Sequence, residues 1–321
     1  MSKPKIVVLD SYTTTMNDLS WNELSSIGDV ISYPWTSRSQ IKERADGAEI
    51  LLVNKVPLFE PEFEILHSLK YIGILATGYN NVDLGCARKR GVTVCNVPSY
   101  GTDSVAQNVF AHILGFANEL GVHAAAVKRG EWCSSPDVNL CVAATRELAG
   151  LVIGIVGYGA IGSKVAEIAK AFGMQVIAYG PHRLPHTSEN GTSFVPLDEI
   201  WEKSDIVSLN CPLNPDTHEI VNAKSISMMK RGVWIINTGR GGLVNERDLA
   251  EALESGRVGA AGLDVLSIEP PTQDNPLLAA KNCRISPHIA WTTQSARRRL
   301  IDIATQNVSA FLAGNPINVV S

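Results

Sequence analysis

The sequence predicts an α/β protein that consists of two doubly wound parallel-sheet domains, one inserted into the other. Short apolar runs rich in β-branched residues alternate with amphipathic segments along almost the whole chain, which is typical of parallel sheets with helical crossovers. This alternation breaks near residue 104 and restarts at residue 151. Because two helical segments without strands of their own flank the second series, we predict that the second domain interrupts the first.

The first series of strands predicts one compact domain. Its strand candidates are KIVVLD, DVISYP, AEILLVN, YIGILA and VTVCNV, and amphipathic stretches such as LSWNELSSIG and VDLGCARKRG lie between them. A lone helix is predicted over residues 104–120, where Ser104 and Gln107 would form a capping box. A second lone helix is predicted over residues 292–313, where apolar residues form a helical stripe.

The second series contains six strand candidates with helices between them. They read LVIGIVG, QVIAYG, IVSLNC, VWIINT, VGAAGLDV and NCRISPH. Six such strands complete a dinucleotide-binding sheet of the Rossmann type. We expect residues 101–288 to form this cofactor domain. Residues 1–100 and 289–321 would then form a discontinuous substrate-binding domain with a flavodoxin-like sheet.

The overall composition is typical of a globular protein and argues against nucleic-acid and membrane partners. The net charge of the 321 residues is −4 and the pI is about 6.0, so no global positive field attracts nucleic acid or acidic membranes. Six cysteines occur without CxxC spacing, which favours buried thiols in a reducing compartment. The opening MSKPKIVVLD enters a strand without a cleavable leader, and no apolar run approaches membrane-spanning length. A cytoplasmic location and no bound metal are therefore expected.

A glycine-rich turn follows the first strand of the second series. The stretch GIVGYGAIG contains Gly157-x-Gly159-x-x-Gly162 between an apolar strand and a helix, which is the context that a dinucleotide-binding turn requires. Gly157 permits the tight turn, Gly159 lets the backbone approach a pyrophosphate, and Gly162 allows helix and strand to pack closely. The predicted helix begins at Ala160 and Ile161. Its N-terminal end offers free N–H groups and a positive dipole to phosphates.

The next strand, VIAYG, ends without the acidic residue that usually holds the adenosine ribose. Gly180 stands at that position, 18 residues past Gly162, and the basic pair His182-Arg183 follows. A carboxylate there would bind the 2′-hydroxyl and repel a 2′-phosphate, whereas Arg183 can pair with a phosphate. The sequence therefore predicts NAD(H) or NADP(H) as cofactor, with tolerance of NADP. The alternative is that both basic residues belong to a solvated turn and that NAD binds through the remaining contacts.

Polar residues follow three later strands of the second series. Arg240 follows VWIINTGR, Glu269 follows GLDVLSIE with Asp264 earlier in the same run, and His288 ends RISPH. Ligands bind at the carboxyl ends of strands in such sheets. Taken singly, each residue also fits a structural role: a surface ion pair for Arg240, a loop acid for Glu269 and a structural imidazole for His288. Together they favour catalysis beside the nucleotide-binding turn.

The stretches around these residues identify a family. NTGRGGLVNERDLAEAL, AGLDVLSIEPP, NPLL and SPHIAW closely resemble the D-isomer-specific 2-hydroxyacid dehydrogenases, and most of all their glycerate dehydrogenase (hydroxypyruvate reductase) branch. ATGYNNVDL and GTDSVAQ extend the resemblance over the whole chain. Gly180 is the departure, because NAD-using members usually carry Asp there.

The resemblance implies a role for each polar residue in the reduction of a 2-oxo acid. His288 would donate the proton to the carbonyl oxygen, since imidazole titrates near working pH. Glu269 would bind the other ring nitrogen and fix the tautomer. Arg240 would bind the substrate carboxylate and polarise the carbonyl. Asp264 would accept a hydrogen bond from the nicotinamide amide.

Further contacts follow from the same resemblance. Three residues would lie beside the cofactor, namely Val105, Cys211 and Thr238. Backbone N–H groups after the strand YIGILA would bind the second carboxylate oxygen, namely those of Ala76, Thr77 and Gly78. Lys55 and Trp291 are further candidates for the substrate pocket, with surface charge and ordinary packing as their structural alternatives. The stretch 121–150 after the first lone helix is predicted to be irregular and would form a homodimer interface.

Alternative functions remain at this point. Glu269 argues against formate oxidation, because the formate branch resembles this chain but carries Gln at that position. A D-lactate-type dehydrogenase would have the same site with another substrate. A nucleotide-sensing binding protein, such as the corepressors that share this fold, would retain the same residues. Hydroxypyruvate with D-glycerate, or glyoxylate, is the predicted substrate class.

Overall fold

A computed structural model describes residues 3–321 of the chain. The chain forms two compact units: the N-terminal part through Gly101 combines with Trp291–Ser321, and Thr102–Ala290 form the second unit. Both units contain a predominantly parallel sheet, which confirms the predicted fold class. Over the described residues, no helix has both the length and the apolar character needed to span a bilayer. The assignment of substrate to the first unit stays a prediction.

The first unit contains a five-stranded parallel sheet in the order β2-β1-β3-β4-β5. This is the flavodoxin-like order, in which the chain reverses direction across the sheet after β2. Its strands are β1 (Lys5–Val8), β2 (Asp29–Ser32), β3 (Ile50–Val53), β4 (Tyr71–Ile74) and β5 (Thr93–Cys95). Strands β3 and β4 are buried along their whole length, as expected for ILLV and YIGI in the middle of a covered sheet.

Short helices connect the strands of the first unit. They are α1 (Tyr12–Thr15), α2 (Asn22–Ile27), α3 (Ile41–Arg44), α4 (Glu60–Ile65) and α5 (Leu84–Lys89). Helix α5 shows how the sequence sets the boundaries, because Asp83 accepts a hydrogen bond from the backbone of Cys86 at its start. Gly91, with a φ of 67°, follows its end and lets the chain turn into β5.

The second unit opens with two consecutive helices, α6 (Thr102–Asn118) and α7 (Leu120–Lys128). Glu119 separates them with a left-handed backbone, at a φ of 46°. The predicted capping box is wrong, because α6 begins at Thr102 and the hydroxyl of Ser104 donates to the carbonyl of Ala290 instead. The stretch 121–150 was predicted without regular structure, but its first residues form α7, which the Ala-rich sequence LGVHAAAVK favours.

An eight-stranded sheet forms the core of the second unit, in the order β13-β12-β11-β10-β6-β7-β9-β8. The strands are β6 (Val152–Val156), β7 (Gln175–Tyr179), β8 (Ser188–Glu189), β9 (Thr192–Phe194), β10 (Ile206–Leu209), β11 (Val233–Asn237), β12 (Val258–Leu263) and β13 (Cys283–Ile285). The helices between them are α8 (Ala160–Ala171), α9 (Leu197–Lys203), α10 (Ala223–Met228) and α11 (Glu246–Glu254). Apolar clusters cover both faces of this sheet.

All six predicted strands are present in this unit, which also contains the small hairpin β8–β9 that was not predicted. Strand β8 is antiparallel to β9, and Asn190 and Gly191 form the turn between them with φ angles of 50° and 71°. Asn-Gly is the preferred pair for such two-residue turns. The strands are short and mostly polar, so they show no apolar pattern. The hairpin extends the sheet beyond β7.

The last helix, α12 (Gln294–Leu312), belongs to the first unit and matches the predicted lone helix. Thr293 accepts a hydrogen bond from Ala296 at its start, which explains why the helix begins there. The chain then returns to the sheet edge, where the N–H of Val320 donates to the carbonyl of Val94 at 2.8 Å. The C-terminal residues thus complete the first unit beside β5.

Candidate active site

Each glycine of the predicted nucleotide-binding turn has its own structural reason. Gly157 has a φ of 97°, and a Cβ there would lie 2.6 Å from the backbone nitrogen of Cys211. A Cβ on Gly162 would lie 2.1 Å from the carbonyl oxygen of Gly157, so α8 can pack against β6 only without one. A Cβ on Gly159 would meet open space. Gly157 and Gly162 thus shape the turn, whereas Gly159 leaves its surface open, as the predicted contact with a pyrophosphate requires.

The region beyond β7 contains an ion pair that the sequence did not indicate. Nη1 of Arg183 lies 2.6 Å from Oε2 of Glu189, which is carried by β8. The guanidinium also lies over two aromatic rings, 5.6 Å from the centroid of Tyr158 and 5.1 Å from that of Phe194. A Cβ at Gly180 would lie 3.4 Å from Cγ of Arg183, so the arginine side chain occupies the space beside that glycine.

Glu189 is therefore a residue that sequence reasoning missed at this end of the sheet. It supplies a carboxylate to Arg183, whose side chain lies beside Gly180, although not at the position where the family pattern has one. The Asn190-Gly191 pair was the signal that could have revealed the hairpin, and with it the approach of Glu189 to Arg183. His182 lies exposed in the same turn.

The structure brings His288 and Glu269 together. Nδ1 of His288 lies 2.6 Å from Oε2 of Glu269, although the two residues follow different strands, β13 and β12. The other oxygen of the carboxylate, Oε1, accepts a hydrogen bond from the backbone N–H of Leu266 at 3.0 Å. Because both carboxylate oxygens are engaged, the orientation of the acid is fixed toward the ring.

Asp264 lies beneath the loop that carries His288, and it is only 1% exposed. Its carboxylate accepts hydrogen bonds from the hydroxyl of Ser286 at 2.5 Å and from the backbone N–H groups of Ile289 and Ala290 at 2.9 and 2.8 Å. The backbone N–H of His288 donates to the carbonyl of Asp264 at 2.8 Å. Asp264 thus holds the loop internally, while its expected contact with a nicotinamide amide stays a prediction.

Arg240 is carried by a tight turn after β11. The side chain of Asn237 donates to the carbonyl of Arg240 at 2.9 Å and accepts from the N–H of Gly239 at 3.0 Å. A Cβ at Gly241 would lie 1.9 Å from the backbone of Leu266, so this turn packs directly against the segment after β12. Arg240 is exposed, and Arg240, Glu269 and His288 follow the neighbouring strands β11, β12 and β13.

The remaining residues predicted near the cofactor lie at the same edge or on α6. Cys211 follows β10 and is half-buried, and burial raises the pKa of its thiol to about 11, so the thiol stays protonated at neutral pH. Thr238 directly follows β11. Val105 lies buried in the first turn of α6. Cys211 therefore contributes its backbone, which packs against Gly157, and does not act as a thiolate nucleophile.

In the first unit, the loop that carries Lys55 is fixed by a residue that sequence reasoning missed. The carboxylate of Asp10, at the end of β1, accepts hydrogen bonds from the backbone N–H groups of Asn54, Lys55 and Val56. Lys55 is exposed at the end of β3. Burial raises the pKa of Asp10, while the three N–H donors act in the opposite direction.

The segment Ala76–Gly78 follows the neighbouring strand β4, as predicted. The hydroxyl of Thr77 donates to the carbonyl of Val97 at 3.0 Å, and the side chain of Asn96 donates to the carbonyl of Thr77 at 2.8 Å. These bonds fix the backbone of the segment at the carboxyl end of the sheet. Trp291 is buried, and its ring packs edge-on against Tyr100 at 6.0 Å between centroids, which favours its packing alternative over a pocket role.

The fold and the polar strand ends define the class of this protein: an α/β oxidoreductase whose second unit has the architecture of a nicotinamide dinucleotide-binding domain. The family model of the D-isomer specific 2-hydroxyacid dehydrogenase, NAD binding domain, matches residues 110–290. The chain belongs to the D-isomer-specific 2-hydroxyacid dehydrogenases. The resemblance stated from the sequence is thus confirmed.

Individual relatives support the same membership. The chain is 45% identical over 320 residues to a hydroxypyruvate reductase of Blautia hydrogenotrophica, with 99% of each chain covered. It is 38% identical over 288 residues to a glycerate dehydrogenase of Methylorubrum extorquens, with 89% of each chain covered. Among solved structures, it resembles an acyclic imino acid reductase in complex with NADPH and D-Arg, with a TM-score of 0.85 and 30% identity over 99% of this chain and 100% of the other.

Proposed function

We propose that this chain reduces hydroxypyruvate to D-glycerate with a nicotinamide cofactor and that it also accepts glyoxylate. The observation that carries the proposal is the 2.6 Å contact between His288 and Glu269 on neighbouring strand ends of the cofactor unit. A hydroxypyruvate reductase and a glycerate dehydrogenase are close relatives over most of the chain, and glyoxylate reductases are more distant ones.

The proposed mechanism uses His288 as acid in reduction and as base in oxidation. When bound, a nicotinamide ring supplies or accepts the hydride at C2 of the substrate. In reduction, Nε2 of His288 donates a proton to the carbonyl oxygen, and in oxidation it takes the proton from the hydroxyl. Glu269 holds the proton on Nδ1, which keeps the ring in the tautomer and orientation that this exchange needs.

Arg240 is proposed to bind the substrate carboxylate. Its guanidinium presents parallel N–H donors that match a carboxylate and also polarise the adjacent carbonyl. We further propose that the backbone of Ala76–Gly78 binds the second carboxylate oxygen and that Lys55 binds the hydroxyl end of the substrate. The rigid bonding of both segments at the carboxyl edge of the first sheet supports these roles.

The cofactor is proposed to be NADH or NADPH, with tolerance of the 2′-phosphate. Gly180 carries no carboxylate that would repel this phosphate, and Arg183 lies beside it with a guanidinium held over two rings. Glu189 competes for the same guanidinium, which limits the preference for NADPH. The solved complex of a related reductase with NADPH is consistent with this tolerance in the fold.

We also propose a homodimer and a cytoplasmic location. Apolar side chains are exposed along the segment of α7 and the turns after it, with Leu120 at 72%, Trp132 at 49% and Val138 at 82% exposure. Such an apolar segment is typical of an interface between copies. All six cysteines in the described part of the chain are free thiols, which suits a reducing compartment.

A matrix of initial rates tests the proposed function. Hydroxypyruvate, glyoxylate and pyruvate are each combined with NADH and NADPH, and the loss of reduced-cofactor absorbance is followed. Highest kcat/KM with hydroxypyruvate is the expected result. A preference for pyruvate would indicate a D-lactate-type enzyme, and cofactor binding without any turnover would indicate a nucleotide-sensing protein.

A further inference from the structure

We propose that helix α6 positions the loop of residues 286–290 by holding it at two points. Ser104 holds one end of the loop and His112 holds the other. This inference rests on the proposed function, because the loop carries His288. Ser104, His112 and Ser286 are assigned as positioning residues, since each acts on His288 through other groups.

The first point of attachment is a hydrogen-bonded chain from α6 to the buried Asp264. The hydroxyl of Ser286 lies 2.5 Å from Oδ1 of Asp264 and 3.3 Å from Nε2 of His112. The hydroxyl of Ser286 donates its single proton to Oδ1 of Asp264. The lone pairs of the serine oxygen are then left for His112, which must donate through Nε2.

The surroundings of His112 agree with this direction. Burial lowers the pKa of His112, so the ring is neutral at neutral pH and carries a single N–H. A neutral imidazole that donates through Nε2 holds its proton on the side of Ser286. The ring reaches the strand only because residue 262 is glycine: a Cβ there would lie 2.7 Å from Cβ of His112 and 2.9 Å from Nδ1.

The second point of attachment is at the other end of the loop. The hydroxyl of Ser104 donates to the carbonyl of Ala290 at 2.5 Å, and Ser104 is buried. The N–H of the same Ala290 donates to Asp264 at 2.8 Å. Both the backbone N–H and the carbonyl of Ala290 are therefore hydrogen-bonded to buried side chains.

The two attachments from α6, which together form a clamp on the loop, are needed because His288 has an unfavourable backbone conformation. Its φ is 55°, in the left-handed region that residues other than glycine rarely adopt. A conformation of this kind persists only where the surrounding bonds enforce it. The bonds to Asp264 on both sides of His288, together with the two contacts from α6, supply that enforcement.

The test compares Ser286→Ala and His112→Phe with two matched variants. Ser204→Ala removes another buried serine hydroxyl in the same unit, one that donates to the carbonyl of Ile200 at the end of α9. His112→Gln keeps a side-chain N–H donor near the position of Nε2, whereas His112→Phe keeps a ring without it.

Two readouts are measured for each variant. The first is steady-state kinetics with hydroxypyruvate and NADH, and the second is amide hydrogen exchange of the peptide that contains residues 286–290. Ser286→Ala and His112→Phe should lower kcat about tenfold with less than about a twofold change in the KM for NADH, as expected for a displaced catalytic group. Exchange at Ile289 and Ala290 should become about tenfold faster.

The matched variants decide between positioning and general destabilisation. Ser204→Ala and His112→Gln should keep kcat within about threefold of the wild type, because neither removes the donor to Ser286. The double variant His112→Phe/Ser286→Ala should be no slower than Ser286→Ala alone, since both changes break one chain of bonds. Equal losses in Ser204→Ala and Ser286→Ala would overturn the proposal.

Failure of the clamp and failure of the proposed function give different results. If the wild type reduces no 2-oxo acid, the function is wrong, while the exchange rates at Ile289 and Ala290 still test the clamp. If the wild type is active and those rates do not change in Ser286→Ala, the clamp is wrong and the function stands.

Discussion

Nδ1 of His288 lies 2.6 Å from a carboxylate oxygen of Glu269, and the other oxygen of that carboxylate is held by the backbone of Leu266. The backbone of the protein thus orients the acid toward the ring. In the proposed mechanism, this contact leaves Nε2 of the imidazole for the proton transfer to or from the substrate.

Replacing either partner of this contact should affect turnover and not cofactor binding. We expect His288→Ala to lower kcat by about 10³-fold and Glu269→Gln by about 10²-fold, within the range for general acid–base catalysis. NADH affinity, measured by fluorescence quenching, should change less than about twofold. Glu254→Gln, which breaks a surface pair with Lys281, is the matched control. Near-normal turnover of His288→Ala would refute the mechanism.

Replacement of Arg240 even by lysine should lower the catalytic activity. A lysine keeps the charge but loses the planar pair of donors that fits a carboxylate. We expect Arg240→Lys to lower kcat/KM for hydroxypyruvate by about 10²-fold with unchanged NADH affinity. Arg231→Lys, another arginine of the same unit, is the control. A loss confined to NADH affinity would mean that Arg240 contacts the cofactor instead.

The pair Arg183–Glu189 should set the choice between the two cofactors. Glu189→Gln frees the guanidinium for a 2′-phosphate, so the ratio of kcat/KM for NADPH over NADH should rise about two- to fivefold, as expected for an exposed ion pair. Arg183→Gln and Gly180→Asp should both lower this ratio. Glu202→Gln makes the same charge change on α9 and should leave it unaltered. A fall of the ratio in Glu189→Gln would contradict the role of this pair.

The first unit should lose stability in acid through Asp18. A hydrogen bond from the buried Arg297 lowers the pKa of Asp18 from 3.8 to about 2. Because the folded-state pKa lies below the ordinary value, the stabilisation is complete above pH 3.8 and is lost as the pH falls toward 2. Urea midpoints of Asp18→Asn should therefore vary less than those of the wild type across this window. Asp29→Asn is the control. The same dependence of the urea midpoint on pH in all three proteins would show that Asp18 does not cause the loss of stability in acid.

The apolar segment after α6 should mediate association. We expect the wild type to be a dimer by light scattering and the double variant Leu120→Asp/Val138→Asp to be a monomer, because charges on a buried apolar contact are costly. Ile31→Asp changes an exposed apolar residue of the first unit and should leave the dimer intact. A monomeric wild type would remove the basis for this interface.

The parts of the site that depend on local sequence could be predicted. The glycine turn was identified from its spacing, because each glycine answers a local steric demand that a side chain would violate. The positions of Arg240, Glu269 and His288 at strand ends followed from the alternation of strands and helices. The contact between Glu269 and His288 was expected from resemblance, and the structure contains it.

The parts that depend on distant residues could not be predicted. Ser104 suggested a helix cap, but its hydroxyl bonds Ala290, which lies 186 residues away in the sequence. His112 lies in the helix predicted over residues 104–120, and nothing local indicates Ser286, which lies 174 residues further on. Asp10 and Glu189 were missed for the same reason, since an isolated acid shows no periodicity and its partners are known only after folding.

The return of the C-terminal segment to the edge of the first sheet has a consequence for biosynthesis. A ribosome delivers the N-terminal strands first and the whole of Thr102–Ala290 next, yet Val94 meets Val320 only when the last residues have emerged. The inserted unit can therefore mature during translation, while the first unit is completed only after α12 and Val320 have been synthesised. Nascent chains stalled before α12 should accordingly expose the face of β4 and β5 to chaperones.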